Sequence, residues 1–325
     1  MSSDTAPPAG ERPTPRRQCA DAVLMVRPAS FGYNPQTAAS NKFQRLPAGA
    51  TEETAAAPQE FDALAGALNG DGVRVCVVED TIEPAKPDAV FPNNWVSFHE
   101  DGTVVLYPMQ AECRRYERRG EVVDEVASRL GFKVTRLLNL TSHEQHGRYL
   151  EGTGSLVMDH IERTAYACIS SRTHAAVLQE WAKELGYEPI ILNAFDRAGA
   201  PIYHTNVLMC IGERVAIVGT EAIVAADRGP IVERLRASGR EVIEIGHTEI
   251  EHFAGNMLEL GTWDEALGDY RVLVMSETAR HSLSADAFAR LSACTDEVLA
   301  VPIPTIERLG GGSVRCMLAE VFLPA

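Results

Sequence analysis

Cys316 is the residue of this sequence whose surroundings best suit covalent chemistry. It follows the glycine run Gly310 to Gly312 and lies between Arg315 and an apolar run that begins at Met317. Consecutive glycines allow a turn with positive φ and a close approach of the backbone to a ligand. A neighbouring cation and the N–H groups of such a turn both favour the thiolate, which is the nucleophilic form of cysteine. The alternative is a structural cysteine buried at the start of a strand.

Three further charged or titratable residues lie at the edges of apolar runs. His204 precedes the run V-L-M, Glu151 stands in L-E-G-T-G-S, and Arg172 stands in S-S-R-T-H. A histidine can act as general acid and base for a thiol nucleophile, and a glutamate can orient that histidine. An arginine can hold a carboxylate through two parallel hydrogen bonds. The structural alternatives are a strand-edge histidine, a solvated loop glutamate and a surface ion pair.

Two asparagines occupy similar places. Asn94 lies in F-P-N-N-W and Asn206 in Y-H-T-N, each before an apolar run. An amide side chain both donates and accepts hydrogen bonds but carries no charge. These two residues are therefore candidates for binding a polar, uncharged group.

The elements that must position these residues repeat along the chain. Four segments each read as a hairpin, a helix and a strand, at a spacing of about fifty residues. The strands that end these segments are predicted at 132–138, 188–192, 241–245 and 297–301, and the third segment begins with a predicted strand at 205–210. Such units expose an apolar sheet face that only neighbouring units can cover, so they are expected to stack around a common axis. The first strand (22–26), the last strand (317–323) and the segment 61–78 supply a fifth unit. We predict an α/β fold of five ββαβ-type modules, closed into a five-bladed pseudo-symmetric propeller by its N- and C-terminal strands.

Three further points concern the organisation of the chain. A doubly wound parallel sheet is the competing α/β layout, and the hairpin in every unit argues against it. Residues 1–18 hold four prolines without apolar periodicity and are predicted to be a disordered leader to a single domain, 19–325. The segment 31–41 has loop composition with two aromatic residues, and either a lid over the site or an ordinary surface loop fits it.

Composition excludes several classes of function. The 325 residues include 30 Lys plus Arg against 45 Asp plus Glu, a formal net charge of −15. This acidic balance argues against nucleic acid or an anionic membrane as partner and leaves a small molecule. No apolar run reaches the ~20 residues of a membrane span. Seven widely spaced cysteines without a C-x-x-C pair favour reduced thiols in the cytoplasm over a disulfide framework or structural zinc.

The segment 143–146 contains residue types that bind zinc in other proteins. His143, Glu144 and His146 invite comparison with a zinc motif, but the histidines are three residues apart, whereas H-E-x-x-H requires four. We therefore expect no metal and no organic cofactor. A homodimer stays open.

Taken in order, the motifs E-G-x-x, S-x-R-T, H-x-N and G-G-G-x-x-R-C-M resemble those of the arginine deiminase and amidinotransferase superfamily, also called penteins. Their five-bladed α/β propellers modify guanidino groups through a covalent thiol intermediate. The resemblance covers residues 22–325 and implies Cys316 as nucleophile, His204 as acid and base, and Glu151 as their acidic partner. It also implies that Arg172 binds the substrate α-carboxylate, and Arg315 is included among the substrate-binding candidates.

The departures from that family suggest a substrate. Deiminases carry aspartates that pair with the cationic guanidinium at the positions of Asn94 and Asn206. Amides there suggest a neutral ureido group, so hydrolysis of L-citrulline to ornithine, CO2 and ammonia is the leading hypothesis. The alternatives are a hydrolase of arginine or methylated arginine, favoured if Asp88 or Asp196 faces the site, an amidinotransferase, or a non-catalytic binding protein.

Overall fold

The strands form sheets of one recurring topology. The computed structural model describes residues 16–46, 54–264 and 268–323. Its strands are β1 (Ala22–Arg27), β2 (Arg74–Glu79), β3 (Val96–Phe98), β4 (Thr103–Leu106), β5 (Arg136–Asn139), β6 (Val157–Asp159), β7 (Thr164–Cys168), β8 (Glu188–Leu192), β9 (Met209–Ile211), β10 (Val215–Val218), β11 (Glu241–Glu244), β12 (Leu258–Asp264), β13 (Gly268–Ser276), β14 (Glu297–Val301) and β15 (Ala319–Val321).

The helices lie between these strands. They are α1 (Pro35–Ala38), α2 (Ala57–Gly70), α3 (Gly120–Leu130), α4 (Gly152–Ser155), α5 (Ala175–Leu185), α6 (Ala225–Ala237), α7 (His247–Glu251), α8 (Glu277–Ser282), α9 (Ala285–Ser292) and α10 (Pro304–Gly310). Short 3-10 helices precede three strands: Pro92–Asn94 before β3, Thr205–Val207 before β9 and Val314–Met317 before β15.

Each unit has an antiparallel hairpin followed by a parallel third strand. The orders β6-β7-β8, β9-β10-β11 and β12-β13-β14 form three separate sheets. A six-stranded sheet, β2-β1-β15-β3-β4-β5, contains two more such units joined edge to edge through Val321 and Phe98. The predicted pairing of the two chain ends is confirmed, since Val23 in β1 lies antiparallel to Glu320 in β15.

Helix α5 illustrates how the sequence builds one unit. Apolar residues recur with helical spacing along it, and five of them are buried: Val177, Leu178, Trp181, Ala182 and Leu185. The His174 side chain caps the first turn, and Gly186 ends the helix with a φ of 70°. A left-handed residue at this position is most easily supplied by glycine. The β-branched and apolar residues after the helix then form β8.

Several predicted bounds shift. Residues 132–135 precede β5 without joining it, and the predicted strands at 205–210 and 317–323 begin as 3-10 turns. Of the predicted leader, residues 1–15 lie outside the described residues. Gln18 is buried and donates hydrogen bonds to the carbonyl oxygens of Met158 and Ile211, so the chain is already packed against the sheets at that point.

A buried ion pair joins two of the units. Arg240 donates to both carboxylate oxygens of Asp159 in β6, at 2.5 and 3.2 Å, and to the carbonyl oxygen of Gly212 after β9. Both side chains are 2% exposed. Removing one partner of such a pair leaves an uncompensated buried charge, which is strongly destabilising.

We therefore expect Asp159→Asn to lower the free energy of unfolding by about 3–5 kcal/mol. The matched control is Glu244→Gln, which removes the exposed pair between Arg236 and Glu244 and is expected to cost less than about 1 kcal/mol. Urea denaturation followed by circular dichroism measures both. Equal losses in the two variants would show that this ion pair does not join the units.

Candidate active site

The candidate residues lie where the first strand of each unit begins. Asn94 ends the 3-10 helix before β3, and Glu151 immediately precedes α4, which comes before β6. His204 immediately precedes the 3-10 helix before β9, and Cys316 lies in the 3-10 helix before β15. The tight turns aim these side chains away from the strands, and all four are buried.

The glycine run before Cys316 permits close packing on both sides. Gly311 has a φ of 63°, and a Cβ there would lie 2.6 Å from Gln44 Cγ. A Cβ on Gly310 would lie 2.8 Å from the ring of Phe91. Any larger residue would have to displace the segment around Gln44 or the turn that carries Asn94. The glycines thus allow the two segments to meet over the thiol.

Cys316 Sγ is surrounded by amides. The Nδ2 atom of Asn206 lies 3.4 Å from Sγ and that of Asn256 lies 3.3 Å from it, and both are placed to donate. Asn256 Oδ1 is 3.6 Å away and can accept the thiol proton. The sulfur therefore has polar partners in either protonation state.

Glu151 links the other two charged candidates. Its Oε2 atom accepts from His204 Nε2 at 2.8 Å and from Arg172 at 3.4 Å, while Oε1 accepts from the backbone N–H of Gln110 at 2.9 Å. Gly154 allows this packing, since a Cβ there would lie 2.7 Å from His204 Nδ1. The Glu151 carboxylate therefore fixes the ring of His204 at the wall of the cavity that contains Cys316.

Burial and pairing act in opposite directions on these two groups. Burial alone would raise the pKa of Glu151, but Arg172, His204 and Arg114 hold that pKa well below its usual range. Burial lowers the pKa of His204 to about 4, although the Glu151 carboxylate partly offsets this effect. At neutral pH the carboxylate is charged and the imidazole is neutral, so His204 can accept a proton from the thiol.

Arg114 fixes the orientation of Asn94. Its NH1 atom donates to Asn94 Oδ1 at 2.8 Å, and Glu117 holds the other side of the guanidinium at 2.9 Å. A guanidinium only donates hydrogen bonds, so the atom that faces it must be the amide oxygen. The Nδ2 atom of Asn94 is left without a hydrogen-bond partner among the described residues.

The cavity is small and is lined in part by the segment predicted as a lid or a surface loop. A water molecule can occupy only about 10 Å³ of it, and Thr37 and Asn41 of that segment line it together with Cys316 and His204. Arg172 also lines it, but its guanidinium donates to the Thr37 carbonyl oxygen at 2.8 Å and to Ser40 Oγ. The lid interpretation therefore fits the structure.

Asp88 lines the cavity as well. Its Oδ2 atom accepts from Asn34 at 2.7 Å and from Thr37 at 3.2 Å, whereas Oδ1 is buried and has no partner within the described part of the chain. Asp196, the other alternative acid, instead stabilises a surface turn by accepting from the N–H groups of Ala198 and Ala200.

Arg315 is not part of this cavity, which corrects its prediction as a substrate-binding residue. Its guanidinium donates to the Leu318 carbonyl oxygen at 2.9 Å and to Glu320 at 2.6 Å, and it lines a different cavity. Adjacent residues of a tight turn point in different directions, so Arg315 and Cys316 do not share a site. The cationic neighbour invoked for the thiolate is thus employed elsewhere.

Two side chains of the compared zinc motif contact protein groups. His143 Nε2 contacts Glu180 at 2.9 Å, and Glu144 accepts from Met109 N and from Arg118. Within residues 16–46, 54–264 and 268–323, no cluster of three His, Cys, Asp or Glu residues could hold a metal. Over the same ranges no helix is long and apolar enough to cross a membrane.

A family model described as N,N dimethylarginine dimethylhydrolase, eukaryotic, matches residues 27–323. The chain belongs to this family. The family lies within the superfamily of guanidino-modifying enzymes that the motifs of this chain resemble. A comparison with curated proteins found no significant match.

Solved structures agree on the fold. ArgZ, an arginine dihydrolase from the ornithine-ammonia cycle of cyanobacteria, is 19% identical in its apo form with a TM-score of 0.69, covering 93% of this chain and 41% of ArgZ. Its N-terminal domain bound to substrate is 18% identical with a TM-score of 0.70, covering 93% and 98%. This chain thus spans about two fifths of full-length ArgZ.

A dimethylarginine dimethylaminohydrolase variant, solved as an adduct with S-methyl-L-thiocitrulline, is also similar. It is 16% identical with a TM-score of 0.62, and the match covers 93% of this chain and 99% of that one. At these identities the likeness shows the shared α/β fold.

Sequence reasoning missed Arg114 and Asn256 as site residues. Arg114 lies in the charged run R-R-Y-E-R-R, which reads as a solvated surface, yet it is 2% exposed. Asn256 lies in G-N-M-L-E-L, at the same place before its strand as the polar residues of the other units. This equivalent position was the sequence signal that could have identified Asn256.

We expect the imidazole of His204 to stay neutral down to about pH 4, because burial disfavours the cation. This pKa of the folded protein lies below the ordinary 6.5, so between about pH 6.5 and pH 4 the unfolded chain binds a proton that the folded protein does not bind. As pH falls through this range, His204 therefore lowers the free energy of unfolding. NMR titration of labelled histidine measures the pKa, with His204→Asn to assign the signal. Glu151→Gln is expected to lower it further, and titration near 6.5 would contradict the assignment.

Proposed function

We propose that this chain hydrolyses a ureido amino acid, L-citrulline, to ornithine, CO2 and ammonia through an S-carbamoyl intermediate on Cys316. The observation that carries the proposal is the fixed amide of Asn94. Arg114 occupies its oxygen, so an unpartnered N–H donor borders the cavity. A ureido group offers a carbonyl oxygen to this donor, whereas a guanidinium offers only donors of its own.

Asn206 supports the same substrate class. Its Nδ2 atom contacts Cys316 Sγ, and its Oδ1 atom is buried without a partner among the described residues. That oxygen can accept an N–H of the ureido group. Carboxylates at positions 94 and 206 would be costly beside a neutral group, and the two amides avoid this cost.

In the proposed mechanism Cys316 is the nucleophile, Asn94 stabilises the oxyanion and His204 carries out the proton transfers. His204, neutral at rest, takes the thiol proton of Cys316, and Sγ attacks the ureido carbon while Asn94 Nδ2 stabilises the developing oxyanion. As the bond from this carbon to the ornithine nitrogen breaks, His204 returns the proton to the departing amine. Water, deprotonated by His204, then cleaves the S-carbamoyl bond. The thiol is restored, and the released carbamate decomposes to CO2 and ammonia.

Arg172 is proposed to bind the substrate α-carboxylate. It lines the cavity and already holds two oxygen acceptors of the lid, the Thr37 carbonyl and Ser40 Oγ. A carboxylate could replace these acceptors with a stronger, charge-assisted pair. Binding and lid position would then be coupled through this one guanidinium.

We also infer that the five units close into a five-bladed propeller, with the first strand of each unit facing the axis. Their common topology, the pairing of β1 with β15 and the location of the site residues before β3, β6, β9, β12 and β15 support this arrangement. Residues 19–325 would form one catalytic domain after a leader of 1–18. Its seven free cysteines suit a reducing cytoplasm.

One observation favours a second candidate, hydrolysis of arginine or a methylated arginine. Asp88 borders the cavity with one unpartnered oxygen in the described region, as a cationic group would require. The family description also names dimethylarginine. However, Asn34 and Thr37 hold the other oxygen of Asp88, and Arg114 lies 3.7 Å from it, which reduces the local negative charge.

The decisive assay incubates the purified protein separately with L-citrulline, L-arginine and dimethylarginine, and quantifies ornithine, citrulline and ammonia by amino-acid analysis. We expect ornithine from citrulline, and we expect Cys316→Ala to abolish it because no other thiol lies in the cavity lining. Citrulline from arginine or dimethylarginine, with no ornithine from citrulline, would reject the ureido proposal in favour of the second candidate.

Restoring the acids should change the preference. We expect the double variant Asn94→Asp and Asn206→Asp to lose citrulline turnover by at least ~100-fold in kcat/KM, because a buried carboxylate facing a ureido oxygen is desolvated and repelled. It should gain relative activity on arginine. The matched control is Asn193→Asp, an exposed asparagine. Unchanged citrulline turnover in the double variant would show that these amides do not select the substrate.

A further inference from the structure

Asn256 occupies a position that the catalytic residues named above do not explain. Its side chain is fully buried and lies before β12, in the unit formed by β12, β13 and β14. The Nδ2 atom donates to the Asn206 carbonyl oxygen at 2.8 Å and to Cys316 Sγ at 3.3 Å. Because a carbonyl oxygen only accepts, the first contact fixes which end of the amide faces Asn206. The second N–H of Nδ2 is then available to the sulfur.

The local backbone is built to bring this amide to the thiol. Phe253 has a φ of 63°, a conformation that a bulky side chain rarely adopts, and Asn256 N donates to its carbonyl oxygen at 2.8 Å. A Cβ on Gly255 would lie 2.4 Å from the Val207 carbonyl oxygen. Only glycine allows the loop to approach the turn that carries Asn206. Strain of this kind persists where the surrounding structure enforces it, commonly at functional sites.

The sulfur needs such donors because its neighbouring cation points elsewhere. Arg315 is held by Leu318 and Glu320 in a different cavity. A buried thiolate without hydrogen bonds would be costly. Two amide N–H groups, from Asn206 and Asn256, converge on Sγ from two different units. They are fixed dipoles that favour negative charge on the sulfur.

We propose that Asn256 acts with Asn206 as a two-donor site that stabilises the thiolate of Cys316. Asn256 thereby activates the nucleophile, and its Oδ1 atom, 3.6 Å from Sγ, accepts the proton in the resting thiol. The inference rests on the proposed role of Cys316 as nucleophile, but it does not require that the substrate be citrulline. It adds a residue from the unit of β12, β13 and β14 to the catalytic apparatus.

The test measures alkylation of Cys316 by iodoacetamide in the full chain without substrate, between about pH 6 and pH 10. Trypsin cleavage after Arg315 releases the peptide 316–325, so mass spectrometry follows this one thiol, with the Cys294 peptide as an internal reference. We expect Asn256→Ala to slow alkylation at pH 7 by roughly tenfold, the order expected when one hydrogen bond to a charged group is lost. The alkylation rates of Cys316 in the original protein and in the variant should converge at high pH, where this thiol is fully deprotonated in both.

Two further variants separate activation from structure. Asn256→Asp keeps the shape but replaces the donor with a carboxylate, and we expect it to slow alkylation at pH 7 at least as much as Asn256→Ala. Leu235→Ala opens a cavity in the buried core of another unit and should leave the pH profile of alkylation unchanged. A slowing by the same factor at every pH, or no slowing, would overturn the proposal. Since no substrate is present, either result is independent of the citrulline assay.

Discussion

The site depends on one buried carboxylate with three partners. Glu151 accepts from His204, Arg172 and the backbone N–H of Gln110, and it is removed from water. A buried charge is stable only when it is paired and hydrogen-bonded. The same contacts that stabilise Glu151 therefore fix the imidazole and the guanidinium. Burial also keeps His204 neutral, which makes it a proton acceptor and not a resting cation.

A second buried ion pair, between Arg114 and Glu117, orients the side chain of Asn94. Arg114 is held by Glu117, and this pair fixes the amide of Asn94 with its nitrogen free. Burial raises the pKa of Glu117 to about 7 despite its pairing with Arg114. The arginine remains charged in either case, so it continues to donate to Asn94. The positive charge of Arg114 thus determines that the donor end of the Asn94 amide is the one left without a partner among the described residues.

Much of the fold was predictable because the apolar pattern repeats. Strands β8 and β14 match their predicted bounds, and the pairing of the two chain ends followed from counting units. The first strands were placed too early, as at 205–210 and 317–323, because apolar residues are buried both in strands and in the 3-10 turns that precede them. Burial determines the sequence pattern, and it does not specify the backbone conformation of three or four residues.

The site was predictable to the extent that its chemistry was local. The residue types and places of Cys316, His204 and Glu151 before their strands indicated a shared cavity. Arg315 does not line this cavity, although it was predicted to bind substrate, because a residue adjacent in sequence need not point to the same side of a tight turn.

Arg114 could not be found by sequence reasoning, and only its equivalent place before a strand pointed to Asn256. Their roles depend on contacts with residues 20 and 60 positions away. Several units contribute residues to the cavity. The complete hydrogen-bond pattern around Sγ and Asn94 therefore exists only once the units are assembled. This is why an amide before β12 can lie within hydrogen-bond distance of a thiol before β15.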